Sequence, residues 1–452
     1  MPTKPQVRTI TNVASDVLNY IRQGASQNYK DYVPVATQDA DSVRAIGAVL
    51  MDFPGLRNEF LNSLVNRIAL VRVTSKMYSN PLAILKKGKL DYGETIEEIF
   101  VNIAKPFTFD PDTSVTDQYK REIPDVRTTF HVMNFQKYYK VTISDSELRQ
   151  AFLSWDGVNN LITKIIESMY TAAEYDEFEV TKYMIARNIL DGHVYAEAIS
   201  PVSTDNMTDI VSTIKGVSND YTFMNSKHNL AGVKTHTQRD AQYVLINSHF
   251  DAKMDVEVLA AAFNMSKAEF LGNRLMIDSF GSMDKARLAE IFKGDPNYNE
   301  ISAAELAALD AIPAMLIDRD YLQIYDNLYE VTDKYNGEGL YRNYWYHTWK
   351  TFSVSPYSQA TVFVPATPGV TEVTVSPSAV TASVGQTVQL TATVTTENFA
   401  PQSVDWTSDN GAVTVDSHGK VTIGDGASGS IEITATSTFD PTKTGTSTIT
   451  IA

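Results

Sequence analysis

Apolar residues recur along the first 75 or so positions at helical intervals. Leu56, Phe60, Leu61, Leu64, Val65 and Ile68 step by threes and fours, which lines one face of a helix. Pro54 suits the first helical position, Asp52 is the candidate N-cap, and Pro81 closes the region. The period then changes. Thr95–Ile103 alternates, with Ile99, Val101 and Ile103 on one side, as a strand requires. Val126–Ile143 is rich in β-branched and aromatic residues, and two readings stand. It is a strand bent or split by a bulge, or an arm of about 60 Å at ~3.3 Å per residue whose partner lies on another chain.

Ser144-Asp-Ser-Glu147 matches a capping box that opens a helix. Past Asp156-Gly157, the residues Val158, Leu161, Ile162, Ile165, Ile166 and Met169 begin a helical pattern that continues to about Leu190. It predicts one helix of about 50 Å, whose single apolar stripe must lie along a sheet or another helix. Residues 191–345 read as mixed α/β. Tyr243–Ile246, Leu275–Ile277 and Ala314–Ile317 are short strands, and Asp255–Asn264 is a helix with Val256, Leu259 and Phe263 inward. Ser266-x-x-Glu269 would cap a further helix that ends at Gly272. Leu340–Val364 alternates again. Near Pro365-Ala-Thr-Pro368-Gly the helical period disappears, and short alternating runs follow (Val388–Val394, Ile431–Ala435, Ile449–Ile451). Turn signals such as Asn410-Gly411 and His418-Gly419 separate them, so residues 370–452 predict a β-sandwich.

Composition narrows the class. The 452 residues exceed one ordinary core, and 43% hydrophobic with 20% charged residues describes a globular chain. The absence of cysteine excludes disulfides and thiolate chemistry, so Trp406 must fill the sandwich core with no disulfide beside it. No run suits a membrane span, and the first residues lack a signal-peptide layout, so a cytoplasmic origin is expected. Against 54 acidic residues stand 38 basic ones, a net charge of −16. That deficit argues against reading nucleic acid, which needs cations on phosphates, but suits a container whose wall repels an enclosed polyanion.

Candidate chemistry is sparse. Gly424-Asp-Gly426-Ala-Ser-Gly429 spells GxGxxG, yet a strand follows it where a dinucleotide site needs a helix. The seven histidines, His228 and His236 near Asp240 included, form no metal-ligand spacing. No catalytic, cofactor or metal residue is assigned. Lys86, Lys87, Gly88 and Lys89, with Gly93, make a small basic knot that Glu94, Glu97 and Glu98 neutralise locally. It reads as a charged loop in salt-dependent contact with another subunit, or as a solvated loop. Tyr341, Trp345 and Trp349 alternate with Tyr344 and Tyr346, which fits a strand packed on both faces better than a stacking platform.

Three segments carry a resemblance. Asn80–Phe100 (NPLAILKKGKLDYGETIEEIF), Asp255–Asn273 (DVEVLAAAFNMSKAEFLGN) and Leu340–Val364 (LYRNYWYHTWKTFSVSPYSQATVFV) resemble the major capsid proteins of phi-29-type podophages, in order and at comparable spacing. The resemblance implies an α+β chain with the Hong Kong 97-type capsid fold at 1–364. That fold comprises an N-terminal arm and helices (1–80), an extended loop (81–143), a spine helix of the peripheral domain (144–194), an axial domain (195–340) and a return to the peripheral domain (341–364). Asp284–Ile312 is longer than the family pattern; it reads as helical pieces, such as Ala303–Leu309, around a Gly294-Asp-Pro296 turn, and as an extra surface or inter-subunit loop. After a linker at 365–369, Val373-x-Val375-x-Pro377, Gly385–Leu390, Val404-Asp-Trp406-x-Ser408 and Gly419-Lys-Val421 are similar to a bacterial immunoglobulin-like group 2 domain. Trp406, Leu390 and Val404 would lie in its core.

The implied function is a non-enzymatic subunit that assembles with copies of itself, as pentamers and hexamers, into a virion shell. Such a shell, built in the host bacterial cytoplasm, would enclose double-stranded DNA without reading it. Scaffolding protein and portal are partners by resemblance. The immunoglobulin-like domain would project outward, toward neighbours or host surface polymers. No membrane contact is expected. Two rivals remain: a surface adhesin, which needs a secretion signal or anchor, and a polymer-holding enzyme, which needs an acid–base or metal constellation in 80–360.

Overall fold

The computed structural model describes residues 13–37, 39–70, 78–90, 95–108, 121–146, 157–203, 205–261 and 273–452. Four helices open it: α1 (Val13–Gly24), α2 (Gln27–Tyr32), α3 (Ala40–Asp52) and α4 (Pro54–Leu70). They close a small core of their own around Tyr29, Ile46, Leu50 and Phe60. Pro54 does open α4, but Asp52 ends α3 and is no N-cap. Phe53 lies between the two helices, and its carbonyl accepts from the Arg57 N–H at 3.1 Å.

The short strand β1 (Gly88–Lys89) follows, then β2 (Ile96–Val101), β3 (Val126–His131) and β4 (Phe135–Ser144). The run 126–143 is therefore two strands, broken at 132–134, and the expectation of one long arm paired on another chain is corrected. β3 pairs antiparallel with β2, Val101 facing Val126, as a two-stranded ribbon. β4 pairs with its own chain instead, Phe135 opposite Lys350 through Ser144 opposite Tyr341. The capping-box helix at Ser144–Glu147 falls almost wholly outside the described residues.

Helix α5 (Gly157–Leu190) has 34 residues and so spans about 50 Å. It stops at Gly192, whose φ of +66° suits glycine, where the Gly192 N–H donates to the Ile189 carbonyl at 3.1 Å. The single apolar stripe is not what the second half shows. From Asp176 to Lys182 every residue is buried, charged ones included, because the helix is surrounded by packed chain and its charges are paired.

The remaining elements are β5 (Tyr195–Ala198), α6 (Met207–Tyr221), β6 (Gln242–Asn247), α7 (Ser248–Ala261), β7 (Arg274–Ile277), α8 (Lys285–Ile291), α9 (Ala303–Asp310), β8 (Ala314–Asp318), β9 (Leu322–Asn336), β10 (Tyr341–Val354) and β11 (Ala360–Val364). Two sheets organise them, ordered β1-β9-β10-β4 and β5-β11-β8-β6-β7. The five-stranded sheet is buried on both faces. Leu245, Met315, Ile317 and Val362 face the main core with α5, while Val244, Ile246, Leu316 and Phe363 face α6 and α7. That explains the unbroken apolar runs there, since a strand covered on both sides needs no alternation. In the other sheet Tyr344 and Tyr346 bury against Met169 and Ala173 of α5. Tyr341, Trp345 and Trp349 on the opposite face are only half-buried, so β10 is not packed equally on both sides.

Two expected divisions are redrawn. Position 340 falls at the tip of the β9–β10 hairpin rather than between domains. Residues 341–364 return to both sheets, β10 to the first and β11 to the second. Asp284–Ile312 is not merely a surface loop, since Leu288, Ile291, Ile301, Leu309 and Ile312 enter the main core. Its helix α9 carries the Ser302–Glu305 capping box. Helix α7 begins at Ser248, earlier than expected. Inward placement of Val256, Leu259 and Phe263, and the Ser266–Gly272 helix, lie outside the described side chains.

The C-terminal strands are β12 (Gly369–Ser376), β13 (Ala379–Ala382), β14 (Thr387–Gln389), β15 (Thr391–Glu397), β16 (Val404–Ser408), β17 (Val413–Val415), β18 (Lys420–Ile423), β19 (Ser430–Ser437) and β20 (Thr444–Ile451). They form β12-β15, β13-β20-β19-β16 and β14-β18-β17 around one apolar core. Gly424–Gly429 is the turn from β18 to β19, with positive φ at Gly426 and Gly429.

Candidate assembly surfaces

The β2–β3 ribbon has two unlike faces. The inward one is fastened to its own chain. His131, 1% exposed, is held by Glu98 Oε2 at 3.0 Å and by Ser353 Oγ at 2.8 Å. Ser355 Oγ donates to the other Glu98 oxygen at 2.7 Å, and Phe100 stacks on Tyr357 with ring centroids 5.4 Å apart. Arg127 donates to the Ala231 carbonyl at 2.7 Å. The outward face is bare: Ile99, Val101 and Phe130 are 57%, 58% and 60% exposed, and Ile103, Val126 and Val132 are similarly open. Four of these, Ile99, Val101, Val126 and Phe130, share one face of the paired strands with Glu97 and Thr128, and exposed apolar side chains grouped in this way mark a protein contact. Covering each is worth about 1 kcal/mol, since half of each is still to be buried.

The basic knot behaves differently from expectation. Lys86 Nζ sits 2.9 Å from Glu177 Oε2 and 2.8 Å from Asp326 Oδ2, and Lys87 pairs with Asp320 and donates to the Arg319 carbonyl at 2.7 Å. Their partners lie up to 243 positions away, as with Tyr329, rather than at Glu94, Glu97 or Glu98. Glu98 is engaged by His131 and Ser355, Glu97 is exposed, and Glu94 and Gly93 lie outside the described residues. Gly88, with φ of +128°, and Lys89 are exposed and pair in parallel with Tyr325 and Asp326 of β9. Of the proposed contact set, Lys86 and Lys87 are thus committed within the chain.

Sequence reasoning missed the centre of this network. Lys350 is paired with both Glu177 and Asp326, at 3.1 Å from the latter, and Asn80 Nδ2 donates to Glu177 Oε1 at 2.8 Å. Two cations and two carboxylates make a neutral buried group joining α5, the 80–89 segment and the β9–β10 hairpin. Burial alone would lower the Lys86 ammonium, but Glu177 and Asp326 outweigh it and hold it above its ordinary value. Next along α5, Asp176 takes the Arg287 guanidinium at 2.7 and 2.9 Å and the Tyr139 hydroxyl at 2.7 Å. Lys182 bridges Glu179 at 2.8 Å and Asp278 at 3.1 Å. The available signal was the acidic run Glu174, Asp176, Glu177 and Glu179 between the apolar positions of the helix. Buried carboxylates at that density require cations from elsewhere in the chain.

In the C-terminal sandwich, Leu390 is fully buried, whereas Val404 and Trp406 are only partly buried at the core's margin. Trp406 does not fill the centre. That place is taken by Leu390, Val421, Ile431, Ile433 and Ile449, and the indole lies over Gly419, where an added Cβ would stand 3.0 Å from its Cζ2. Among the described residues no three His, Asp or Glu side chains gather to hold a metal, and no helix is long and apolar enough to cross a membrane.

Known proteins match both parts. The sequence model of the Phi29-like phage major capsid protein family covers residues 18–364, and that of the bacterial Ig-like domain (group 2) covers 369–447. The major capsid protein of Bacillus phage PZA is 33% identical over 402 residues, 88% of this chain and 83% of that protein. That of Bacillus phage B103 is 33% identical over 429 residues, 93% and 89% of the two chains. The capsid structure of Staphylococcus phage Andhra shares the fold, with a TM-score of 0.51 at 15% identity over 66% of this chain and 88% of that one. The adhesin reading is not favoured by these matches. The fold is a phage capsid fold carrying an immunoglobulin-like module, and the chain belongs to the Phi29-like phage major capsid protein family, whose members are structural subunits of the tailed-phage head.

Proposed function

We propose that this subunit closes a shell by laying the bare face of its β2–β3 ribbon on a neighbouring copy, within rings of five and six. The observation that carries this is the contrast between the two faces of one ribbon: Glu98, Phe100 and His131 are satisfied at home, while Ile99, Val101 and Phe130 are left in water. The ribbon would be the extended loop, α5 the spine helix, and the five-stranded sheet with α6 and α7 the axial domain. Gly88 and Lys89 remain exposed and available for a salt-dependent contact. Each contact can be weak, because closure multiplies many per subunit. The shell would enclose double-stranded DNA without reading its sequence, in keeping with a net charge of −16. Assembly would take place in the bacterial cytoplasm, with scaffolding protein and portal as partners and neither catalysis nor cofactor. The immunoglobulin-like module would face outward, toward neighbouring subunits or host surface polymers.

The test is Val101→Asp, examined by negative-stain microscopy with the phage's scaffolding protein co-expressed. The variant should stay folded by circular dichroism yet form no closed shells, while the parent chain forms them. Normal shells from Val101→Asp would overturn the role given to this face.

A further inference from the structure

Among the described residues, the immunoglobulin-like module meets the shell part where the loop after β15 reaches the end of α5, and the contact is built from both sides. Consecutive residues of the loop between β15 and β16 serve different cores: Ala400 is buried in the module, while Phe399 packs against the main core of the shell. Asn398 and Phe399 have φ of +53° and +63°, left-handed values that residues other than glycine adopt at a cost. The Phe399 side chain leaves the module for the shell core, while the turn is closed by the Ala400 N–H donating to the Glu397 carbonyl at 3.3 Å. On the shell side the approach is close enough to require glycine. Gly192 is buried, and a Cβ there would stand 2.8 Å from Gln402 Cγ and 3.0 Å from the Ala400 carbonyl. The Gln402 N–H donates to the Gly192 carbonyl at 3.3 Å. A second point lies nearby, where the Tyr195 and Phe439 rings are 5.6 Å apart. The linker itself is pinned by Asn398 Nδ2 donating to the Thr367 carbonyl at 2.7 Å.

Gly192 and Tyr195 bound the joint where α5 gives way to β5, and β5 is an edge strand of the five-stranded sheet. We propose that the immunoglobulin-like module acts as a splint across this joint, holding the end of the long helix and the edge strand together. The consequence is directional. A module fixed to the shell part at two points presents its free loops at one angle in every subunit, whereas one on a free tether would present them at all angles.

Hydrogen exchange on the full chain tests this with Phe399→Ala. The splint predicts that amides of residues 193–199 exchange at least tenfold faster, while those of Arg274–Ile277, on the far edge of the same sheet, keep their rate. Amides of residues 431–435 report whether the module itself stays folded. If Phe399→Ala unfolds it, Gln402→Ala, whose exposed side chain lies over Gly192 and outside the module's core, should speed the same amides with the module intact. Unchanged exchange at 193–199 overturns the proposal. So does an equal rise at both edges, which would mark a general loss of stability rather than a local splint.

Discussion

The β2–β3 ribbon and the immunoglobulin-like module use the same alternation to opposite ends. In the module Ile431, Ile433, Ala435 and Ile449 point to one side and are sealed under a second layer. In the ribbon Ile99, Val101 and Val126 point to one side just as regularly, and among the described residues they stay about half exposed or more. The module is complete within one molecule; the ribbon is complete only on its anchored face. A strand pattern therefore says which side chains stand together, and the presence of a second layer decides whether they stabilise a fold or wait for a neighbour.

The largest effect should come from making one change in both places. Ile433→Ala empties a fully buried site and should cost the module about 3–4 kcal/mol. Ile99→Ala removes the same atoms from an exposed site and should shift the free subunit by less than about 0.5 kcal/mol. Chemical denaturation of both variants measures this. Equal losses would mean that the ribbon's outer face is covered after all.

A second prediction concerns the ground on which the module rests. His228, buried beside Tyr195, has a pKa pushed down to about 4 by burial and then by the Lys227 ammonium. Its Nδ1 is 3.0 Å from Thr361 Oγ1. Below the usual histidine value of about 6.5 the unfolded chain takes up a proton that the folded chain refuses. Stability should therefore be full above pH 6.5 and fall by about 2–3 kcal/mol as pH drops toward 4. His228→Gln should flatten that part of the profile, and an unchanged slope would assign it to other groups. The smallest contrast lies within the module. Trp406→Ala, at the margin of the core, should cost about 2 kcal/mol, less than Leu390→Ala at its centre. Thermal melts giving the reverse order would show that the indole, not Leu390, occupies the centre.

Much of the fold could be read in the sequence because its signals are local. The long helix is visible from its period and from Asp156-Gly157 before it, and the module from short alternating runs punctuated by glycine turns. The division of 126–143 was less visible. One β-rich run fits a single arm or two strands equally well, and the break at 132–134 is set by different partners, β2 for one half and β10 for the other. The basic knot shows the same limit. Lys86 looked neutralised by acids a few positions on, but its partners are Glu177 and Asp326, 91 and 240 positions away. Trp406 looked central because it is large, but chain geometry gave the centre to Leu390 and Ile433.

The sequence by itself determined the period of each segment, hence its helix or strand, its turns and the residues that share a face. It also carried enough long motif to place the family. Only the tertiary structure decided what lies against each face: a second sheet over Ile433, two lysines and an asparagine around Glu177, a shell core for Phe399, and open water for Val101. The reason is physical. Backbone preference acts over a few residues, whereas burial and ion pairing depend on which distant stretch of chain arrives alongside.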